Sequence, residues 1–387
     1  MIKKFGYYIF AAFFSLFRLC PLDKDKVFLV ATHDDGPEGN IGLMVEYIKK
    51  ERAGTKFVYL TKEDGIRKPF SFFFAKAYHM ATASVILMDN EFMPMAYTPV
   101  SGKAKVVQLW HGTGTIKKFG LDADPPEVRK LARKINKRIT HLIVNSEKTK
   151  KQYSSAFGIP PERIYITGLP RTDLILDPER MEIMENEFYE QYPSLRGKRI
   201  TLYAPTFRDE QAASPELGLD FSGFPLAEED VVLLRLHPFV SDHFSLDEAS
   251  YNGRVMDFSH YPGVTTLLRV ADCLITDYSS IVFEYALMHK PVLFYAYDLE
   301  QFETEGRSFY EDYVSTVPGP VCRDQNTLHE QWMEVMGYGE KRTVDTGSGR
   351  CRRREKSVVE MSARAFVSVH YLLPHTKGLC LPLLRGP

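Results

Sequence analysis

The chain has 387 residues, with 49 lysines and arginines against 50 aspartates and glutamates, and a formal net charge of −1 at pH 7. That length is too great for one ordinary hydrophobic core and predicts two domains. The balanced charge excludes a globally basic protein, so we expect no nucleic-acid partner. The 5 cysteines lack C-x-x-C spacing. This excludes a disulfide scaffold or a zinc-binding motif and favours a reducing compartment.

The N-terminal segment, residues 1–25, carries a strongly aromatic run from Phe5 to Phe17 between two lysines and Arg18. The run is shorter than the ~20 apolar residues that span a bilayer. We expect an interfacial helix that lies on a membrane, with its aromatic rings inserted and its basic residues at the rim. The alternative is a helix that packs on its own protein.

Strand-like apolar runs then alternate with helical stretches in two series. The first series, 26–180, has expected strands at 26–32, 56–60, 84–89, 105–110, 141–145 and 163–168. The second, 195–338, has expected strands at 199–205, 231–238, 254–258, 272–277 and 291–296. Continuous apolar strands separated by helices indicate parallel sheets covered on both faces. We expect an α/β fold of two Rossmann-like domains that face each other across a cleft, joined by a polar, helix-like linker at 177–198. Ligand sites should lie beyond the carboxyl ends of the strands.

The segment 127–142 is basic and amphipathic. Its apolar residues recur at helical spacing, and they are Val128, Leu131, Ile135 and Ile139. Its basic residues are Arg129, Lys130, Arg133, Lys134, Lys137 and Arg138. Such a helix is typical of a surface that binds anionic lipid. The alternative is a solvated face over a stripe of core residues.

Polar residues follow several expected strands, where a core does not need them. They are His111, Gly112, Thr206, Arg208, His237, Asp277, Ser279 and Ser280. The two serines open an expected helix at 279–290, whose N-terminus would bind an anion; the alternative is an ordinary helix cap. A strand-end histidine in each half points to a pair that converges on one ligand, the alternative being two packed side chains.

These motifs together resemble the CDP-glycerol glycerophosphotransferases. The resemblance rests on "QLWHGTGTIKKFG", "YAPTFRD", "LRLHP", "DCLITDYSSIVFEYALMHKPVLFYAYD" and "GRSFYEDY", which occur in the family's order across roughly 26–338. It implies a GT-B fold and a peripheral, monotopic protein on the cytoplasmic face of the cell membrane. The implied reaction, part of teichoic acid biosynthesis, is transfer of glycerol phosphate from CDP-glycerol to a hydroxyl of an undecaprenyl-linked glycan, with release of CMP.

The resemblance also implies roles for individual residues. His111 would be the general base, and His237 would stabilise the pyrophosphate or the leaving CMP. Gly112 would leave room for phosphate. The remaining expected contacts to the donor come from Asp277, Ser279, Ser280 and Arg307, with Thr206 and Arg208 as weaker candidates. No cofactor or metal site is expected, although a need for Mg²⁺ stays open.

Two further polar residues are expected to be structural. Arg171 would form an ion pair at the domain edge, and His33 would serve in a turn, the alternative being contact with the acceptor.

The composition changes after residue 338, and 339–387 is expected to be an atypical C-terminal tail. A primase or single-addition enzyme is favoured over a polymerase, and oligomers are possible. Two alternatives remain. One is a GT-B enzyme that uses CDP-ribitol or a UDP-sugar, with Glu284 as the acidic residue to test for ribose binding. The other is an inactive membrane-associated scaffold.

Overall fold

The computed structural model describes residues 2–206, 208 and 217–338. The expected atypical tail at 339–387 lies outside the described residues. The described chain divides between Leu174 and Ile175 into two compact units. Each unit is built around one parallel sheet of six strands. The expected α/β architecture of two parallel-sheet domains is therefore confirmed.

The first unit has the strand order β2-β1-β3-β4-β5-β6. Its strands are β1 (Asp23–Ala31), β2 (Lys56–Thr61), β3 (Ala83–Met88), β4 (Lys105–Gln108), β5 (His141–Val144) and β6 (Ile164–Ile166). Its helices are α1 (Ile2–Phe17), α2 (Asn40–Glu51), α3 (Asp64–Arg67), α4 (Ala77–Ala81), α5 (Pro126–Asn136), α6 (Glu147–Phe157) and α7 (Pro170–Ile175). A π-helical turn at Ser71–Lys76 leads into α4, and a 3₁₀ helix spans Met93–Tyr97.

Apolar side chains of this sheet fill a core on each face. In β1, Phe28 and Val30 belong to one cluster, whereas Val27 and Leu29 belong to the other. Successive residues of a strand point to opposite faces, so an apolar strand buried on both sides must read as a continuous apolar run.

Helix α1 packs on its own unit with one face and exposes apolar residues on another. Phe10 and Phe14 are fully buried, and the ring of Phe10 lies 5.2 Å from that of Phe72. Phe5 and Leu16 are more than half exposed. The packing alternative is therefore confirmed for one face. Within the described residues, no helix has the length and apolar character needed to cross a bilayer.

The second unit has the strand order β12-β11-β10-β7-β8-β9. Its strands are β7 (Arg199–Ala204), β8 (Asp230–Leu234), β9 (Val255–Asp257), β10 (Cys273–Thr276), β11 (Val292–Tyr295) and β12 (Val321–Cys322). Its helices are α8 (Pro178–Gln191), α9 (Pro238–Ser241), α10 (Val264–Val270), α11 (Ile281–Ala286), α12 (Leu299–Glu305), α13 (Tyr313–Thr316) and α14 (Gln325–Val335).

The expected helical character of 177–198 is confirmed, because most of it forms α8, and this helix belongs to the second unit. Asp177 caps this helix by accepting a hydrogen bond from the backbone N–H of Arg180 at 3.1 Å. Phe188 is buried, and Glu185 accepts a hydrogen bond from Arg269 of α10 at 2.7 Å. Most of the α8 surface is polar, so the narrow buried stripe that contains Phe188 was not recognised in the sequence.

Each sheet reverses its strand order at one point. The reversal lies between β1 and β3 in the first unit and between β7 and β10 in the second. Crossover connections leave in opposite directions there, which opens a crevice at the carboxyl ends of the two strands. Most of the polar residues singled out from the sequence follow these strands or their immediate neighbours.

Candidate functional site

His111 follows a strained turn at the end of β4. Trp110 has a φ of 58°, a left-handed conformation that is a genuine outlier for a bulky residue. Its backbone N–H donates to Oε1 of Gln108 at 2.9 Å, and its carbonyl oxygen accepts from Nδ2 of Asn40 at 3.1 Å. Both side chains are buried. Two buried polar side chains therefore hold the strained residue that directs His111.

The imidazole of His111 has a defined orientation. Its Nδ1 lies 3.0 Å from the carbonyl oxygen of Asp89. A carbonyl oxygen only accepts hydrogen bonds, so Nδ1 carries the proton. In the neutral ring, Nε2 is then the nitrogen that can accept a proton.

Two aromatic rings stack on this imidazole. The ring centroid of Trp110 lies 4.1 Å away, and that of His33 lies 3.9 Å away with an interplanar angle of 12°. His33 lies in the bend after β1, and it also stacks on His111, a contact that the expected turn role does not include. The feature of the sequence that could have identified His33 as a site residue is its position at the end of β1, beside the strand-order reversal. The sequence could not show which ring it would meet.

Asp89, which the sequence analysis missed, joins the ends of β1 and β3. Its carboxylate accepts hydrogen bonds from the backbone N–H groups of Thr32 at 3.0 Å, His33 at 3.2 Å and Asp34 at 3.0 Å. Burial raises the pKa of Asp89 to about 6, although these three hydrogen bonds act in the opposite direction. Asp89 thus positions His33 through its carboxylate and His111 through its carbonyl.

The structural expectation for Arg171 is confirmed. Its Nη2 lies 3.0 Å from Oδ2 of Asp34, and its side chain is almost fully buried. Its backbone N–H donates to Oδ1 of Asn40 at 3.1 Å. Arg171 therefore ties α7 to the loop after β1 and to the start of α2.

Gly112 serves the packing of its own loop. Its carbonyl oxygen accepts a hydrogen bond from the hydroxyl of Tyr153 at 2.8 Å. A Cβ at position 112 would lie 3.2 Å from the carbonyl oxygen of Gly114 and 3.4 Å from the Tyr153 hydroxyl. Contacts inside the loop account for a glycine at this position, and the expected room for phosphate stays a prediction.

In the second unit, Asp277 and Arg208 bind each other. Oδ1 of Asp277 accepts from the backbone N–H groups of Thr206 at 2.8 Å and Tyr278 at 2.6 Å, and Oδ2 lies 3.1 Å from Nη2 of Arg208. Asp277 is 2% exposed. Its carboxylate therefore holds the ends of β7 and β10 together, which corrects its expected role as a direct phosphate ligand.

Arg208 also reaches the end of β11. Its Nε and Nη2 donate to the two carboxylate oxygens of Asp298 at 2.6 and 2.9 Å, and its Nη1 donates to the carbonyl oxygen of Thr206 at 2.6 Å. Burial alone would lower the pKa of Arg208, but the carboxylates of Asp277 and Asp298 raise it. Four of the five N–H donors are used internally. Arg208 thus joins the carboxyl ends of β7, β10 and β11 through hydrogen bonds.

The serines after β10 open a shorter helix than expected. Helix α11 spans Ile281–Ala286, and Ser280 makes no side-chain cap. Oγ of Ser279 accepts from the backbone N–H of Ile281 at 3.3 Å. The expected helix at 279–290 is therefore wrong in extent. Its dipole is correspondingly small, so an anion here would rely on the serine hydroxyls and individual backbone N–H groups.

The other expected residues differ in exposure. His237 is half-buried, and its carbonyl oxygen accepts hydrogen bonds from the backbone N–H groups of Val240 and Ser241 in α9. Arg307 is exposed after α12. Oγ1 of Thr206 is buried without a hydrogen-bond partner, and Glu284 is buried within α11. Among the described residues, no three His, Cys, Asp or Glu side chains cluster to hold a metal ion.

The fold is of the GT-B type, with two parallel-sheet domains. The solved structure of the wall teichoic acid polymerase TagF matches with a TM-score of 0.78 at 21% sequence identity, covering 98% of this chain and 94% of that chain. The chain belongs to the family CDP-Glycerol:Poly(glycerophosphate) glycerophosphotransferase, whose model matches residues 12–352. The expected family and fold class are therefore confirmed.

Curated relatives include enzymes named for two polyol phosphates. The teichoic acid poly(ribitol-phosphate) polymerase of Bacillus spizizenii is 33% identical over 335 residues, which cover 84% of this chain and 54% of that protein. The teichoic acid ribitol-phosphate primase of the same organism is 31% identical over 82% of this chain and 84% of its own length. The teichoic acid glycerol-phosphate primase of Bacillus subtilis is 32% identical over 67% and 68%. This chain thus spans about half of the polymerase and most of the ribitol-phosphate primase.

Proposed function

We propose that the protein transfers a polyol phosphate from its CDP ester to a hydroxyl of a lipid-linked acceptor in teichoic acid synthesis. The observation that carries the proposal is the orientation of His111, whose Nδ1–H donates to the carbonyl oxygen of Asp89 at 3.0 Å. A neutral imidazole fixed in this tautomer presents Nε2 as a general base.

The proposed step is a single displacement at phosphorus. The acceptor oxygen forms a bond to the phosphorus that bears the polyol, while its proton moves to Nε2 of His111. The bond from that phosphorus to the bridging oxygen breaks, and its electron pair leaves with CMP. Positioning and charge stabilisation supply most of the acceleration in such transfers.

Donor contacts are assigned to the second unit. His237 and the exposed Arg307 are proposed to bind the pyrophosphate, together with Ser279, Ser280 and the unpartnered hydroxyl of Thr206. Asp277 and Arg208 would keep these residues in position, because their hydrogen bonds join the strand ends that carry them. Two basic groups beside the doubly charged pyrophosphate would stabilise the negative charge that develops on the departing CMP.

The donor polyol is glycerol or ribitol. The family description favours glycerol phosphate, whereas two of the relatives described above are ribitol-phosphate enzymes. Release of CMP from CDP-glycerol and from CDP-ribitol should therefore be compared. Lipid-linked disaccharide acceptors with and without a first polyol phosphate separate priming from later additions, and assays with EDTA or Mg²⁺ test the expected independence of metal.

Two histidine variants test the mechanism. His111→Gln and His237→Ala should abolish acceptor-dependent CMP release, because each removes a proposed contact to a reacting group. His260→Ala is the control, since His260 is exposed in the same unit as His237. Folded protein that releases no CMP from either donor would overturn the proposal and favour the inactive scaffold. Full activity of His111→Gln would overturn the assignment of the base.

We also propose that the first unit binds the cytoplasmic face of the membrane peripherally. Phe5 of α1 is 67% exposed, and Ile66 and Phe70 near α3 are 82% and 83% exposed. Tyr97 links this apolar surface to the basic helix α5, because its ring lies 4.7 Å from that of Tyr8 and 5.1 Å from Nζ of Lys134. Aromatic groups beside basic groups match a monolayer that contains anionic lipid.

Vesicle binding tests this surface. Ile66→Ser combined with Phe70→Ser should weaken co-sedimentation with vesicles of phosphatidylglycerol and phosphatidylethanolamine several-fold. Ile183→Ser is the matched control, because Ile183 is 57% exposed on α8 of the other unit. Equal binding of the double variant and the native protein would overturn the membrane surface.

A further inference from the structure

We propose that His33 is a positioning residue for His111, and that its neutral imidazole face stabilises the protonated form of His111. The proposal rests on the proposed role of His111 as the general base. It concerns a residue of a different strand, since His33 follows β1 whereas His111 follows β4.

The first support is the geometry of the two rings. Their centroids are 3.9 Å apart and their planes differ by 12°, which is face-to-face stacking. A cation within about 6 Å of an aromatic face is attracted by the electrons of that face. When His111 accepts a proton, its positive charge therefore forms directly against the ring of His33. The ring of Trp110 lies 4.1 Å from His111 and contributes in the same way.

The second support is that one residue sets the position of both histidines. The carboxylate of Asp89 accepts the backbone N–H of His33 at 3.2 and 3.3 Å, and the carbonyl oxygen of the same residue accepts Nδ1–H of His111 at 3.0 Å. Asp89 is 2% exposed. One buried residue therefore contacts both histidines, through the backbone N–H of His33 and the ring of His111.

The charged groups around the two stacked rings determine which protonation state of His33 the proposal requires. Asp89 contacts both histidines, and Asp34, the residue after His33, pairs with Arg171 at 3.0 Å. Glu91 lies two residues beyond Asp89. An ionised carboxylate near either ring attracts a positive charge on it, whereas two charged rings in contact repel each other. The His33 face therefore supports a cation on His111 only while His33 is neutral.

The test is a direct titration of the His111 ring by NMR, using protein with ¹³C-labelled histidine. Assignment comes from loss of the signal in His111→Gln. In His33→Leu, the midpoint of the His111 titration should fall by about 0.5 pH unit, as expected for loss of one exposed cation–π contact. His33→Phe keeps an aromatic face without a titrating group and should restore the native midpoint. His33→Gln replaces the leucine variant if that variant does not fold.

Turnover supplies the second readout. In the CMP-release assay, kcat should fall roughly three-fold in His33→Leu and recover in His33→Phe, while KM stays unchanged. His141→Leu is the matched control, because His141 stacks on Tyr165 at 4.8 Å in the same unit and should leave the His111 midpoint unchanged. An unchanged midpoint in His33→Leu, or a phenylalanine variant that behaves like leucine, would overturn the proposal. The titration needs no donor, so failure of the proposed reaction leaves it interpretable.

Discussion

The side chain of Asn40 donates a hydrogen bond to the carbonyl oxygen of Trp110 at 3.1 Å, and its Oδ1 accepts the backbone N–H of Arg171 at 3.1 Å. The first residue of α2 thereby holds the strained residue that precedes His111. A left-handed conformation in a bulky residue persists only where its surroundings enforce it. Asn40 is one of the two side chains that do so.

Asn40→Ala should therefore lower turnover as well as stability. It leaves two buried backbone groups without partners, which costs about 1–3 kcal/mol of unfolding free energy. Relaxation of Trp110 should move His111 and reduce kcat at least ten-fold. Asn136→Ala is the control, because buried Asn136 donates to the carbonyl oxygen of Phe157 at 2.8 Å in the same unit. Urea unfolding and CMP release are measured on both. Equal losses of turnover in the two variants would contradict a specific role for Asn40.

Arg208→Lys should destabilise the second unit. A lysine ammonium is a single point and cannot bridge Asp277, both oxygens of Asp298 and the Thr206 carbonyl together. We expect a loss of about 2–3 kcal/mol in urea unfolding, because buried carboxylates lose partners, and a loss of turnover. Arg199→Lys tests the same exchange at the other end of β7, where Arg199 pairs with Glu229 and Asp230. It should retain turnover, and equal effects of the two exchanges would show that the position of Arg208 is not special.

Glu91→Gln should stabilise the protein at high pH only. Burial, followed by repulsion from Asp124, raises the pKa of Glu91 from 4.5 to about 7. Between these values the folded state binds more protons than the unfolded state, so this carboxyl makes stability fall as pH rises. The glutamine variant should gain about 2–3 kcal/mol at pH 8 and nothing at pH 4, by urea unfolding. An equal gain at both pH values would show that the charge is not responsible.

Arg307→Ala should separate donor binding from stability. Arg307 is exposed, so its removal should change unfolding free energy by less than about 0.5 kcal/mol. Loss of a charge-assisted phosphate contact should raise the donor KM about ten-fold. Arg323→Ala removes another exposed arginine, which pairs with Glu300 at 3.3 Å, and should leave KM unchanged. A native KM in Arg307→Ala would remove this residue from the donor site.

The strands were predictable because each is buried on both faces. Runs such as "KVFLVAT" and "DCLITD" need apolar residues at nearly every position, and the structure forms β1 and β10 there. The helix α8 was predicted as a helix between the domains, and its packing into the second unit was missed because only a narrow stripe of it is buried. A long amphipathic helix with so few apolar contacts resembles a solvated connection in the sequence alone.

Pairings within the site could not be predicted. Asp277 and Arg208 each suit a phosphate site by residue type, yet the fold turns them toward each other. His33 and His111 are far apart in the chain, and the ring stack exists because β1 and β4 both flank β3. In the sequence, Asp89 looks like an ordinary polar residue at the end of a strand. Only the structure shows that its carboxylate accepts hydrogen bonds from three backbone N–H groups.

The sequence by itself determined the parallel-sheet architecture, the family and the strand-end location of the polar residues, because burial periodicity and motif order are properties of neighbouring positions in the chain. The tertiary structure alone decided which polar groups bind each other and which remain available to a ligand. A hydrogen bond depends on distance and direction between atoms, and strand order sets these for residues that are remote in sequence. His111 was thus visible as a candidate, whereas the residues that orient it became visible only in the folded unit.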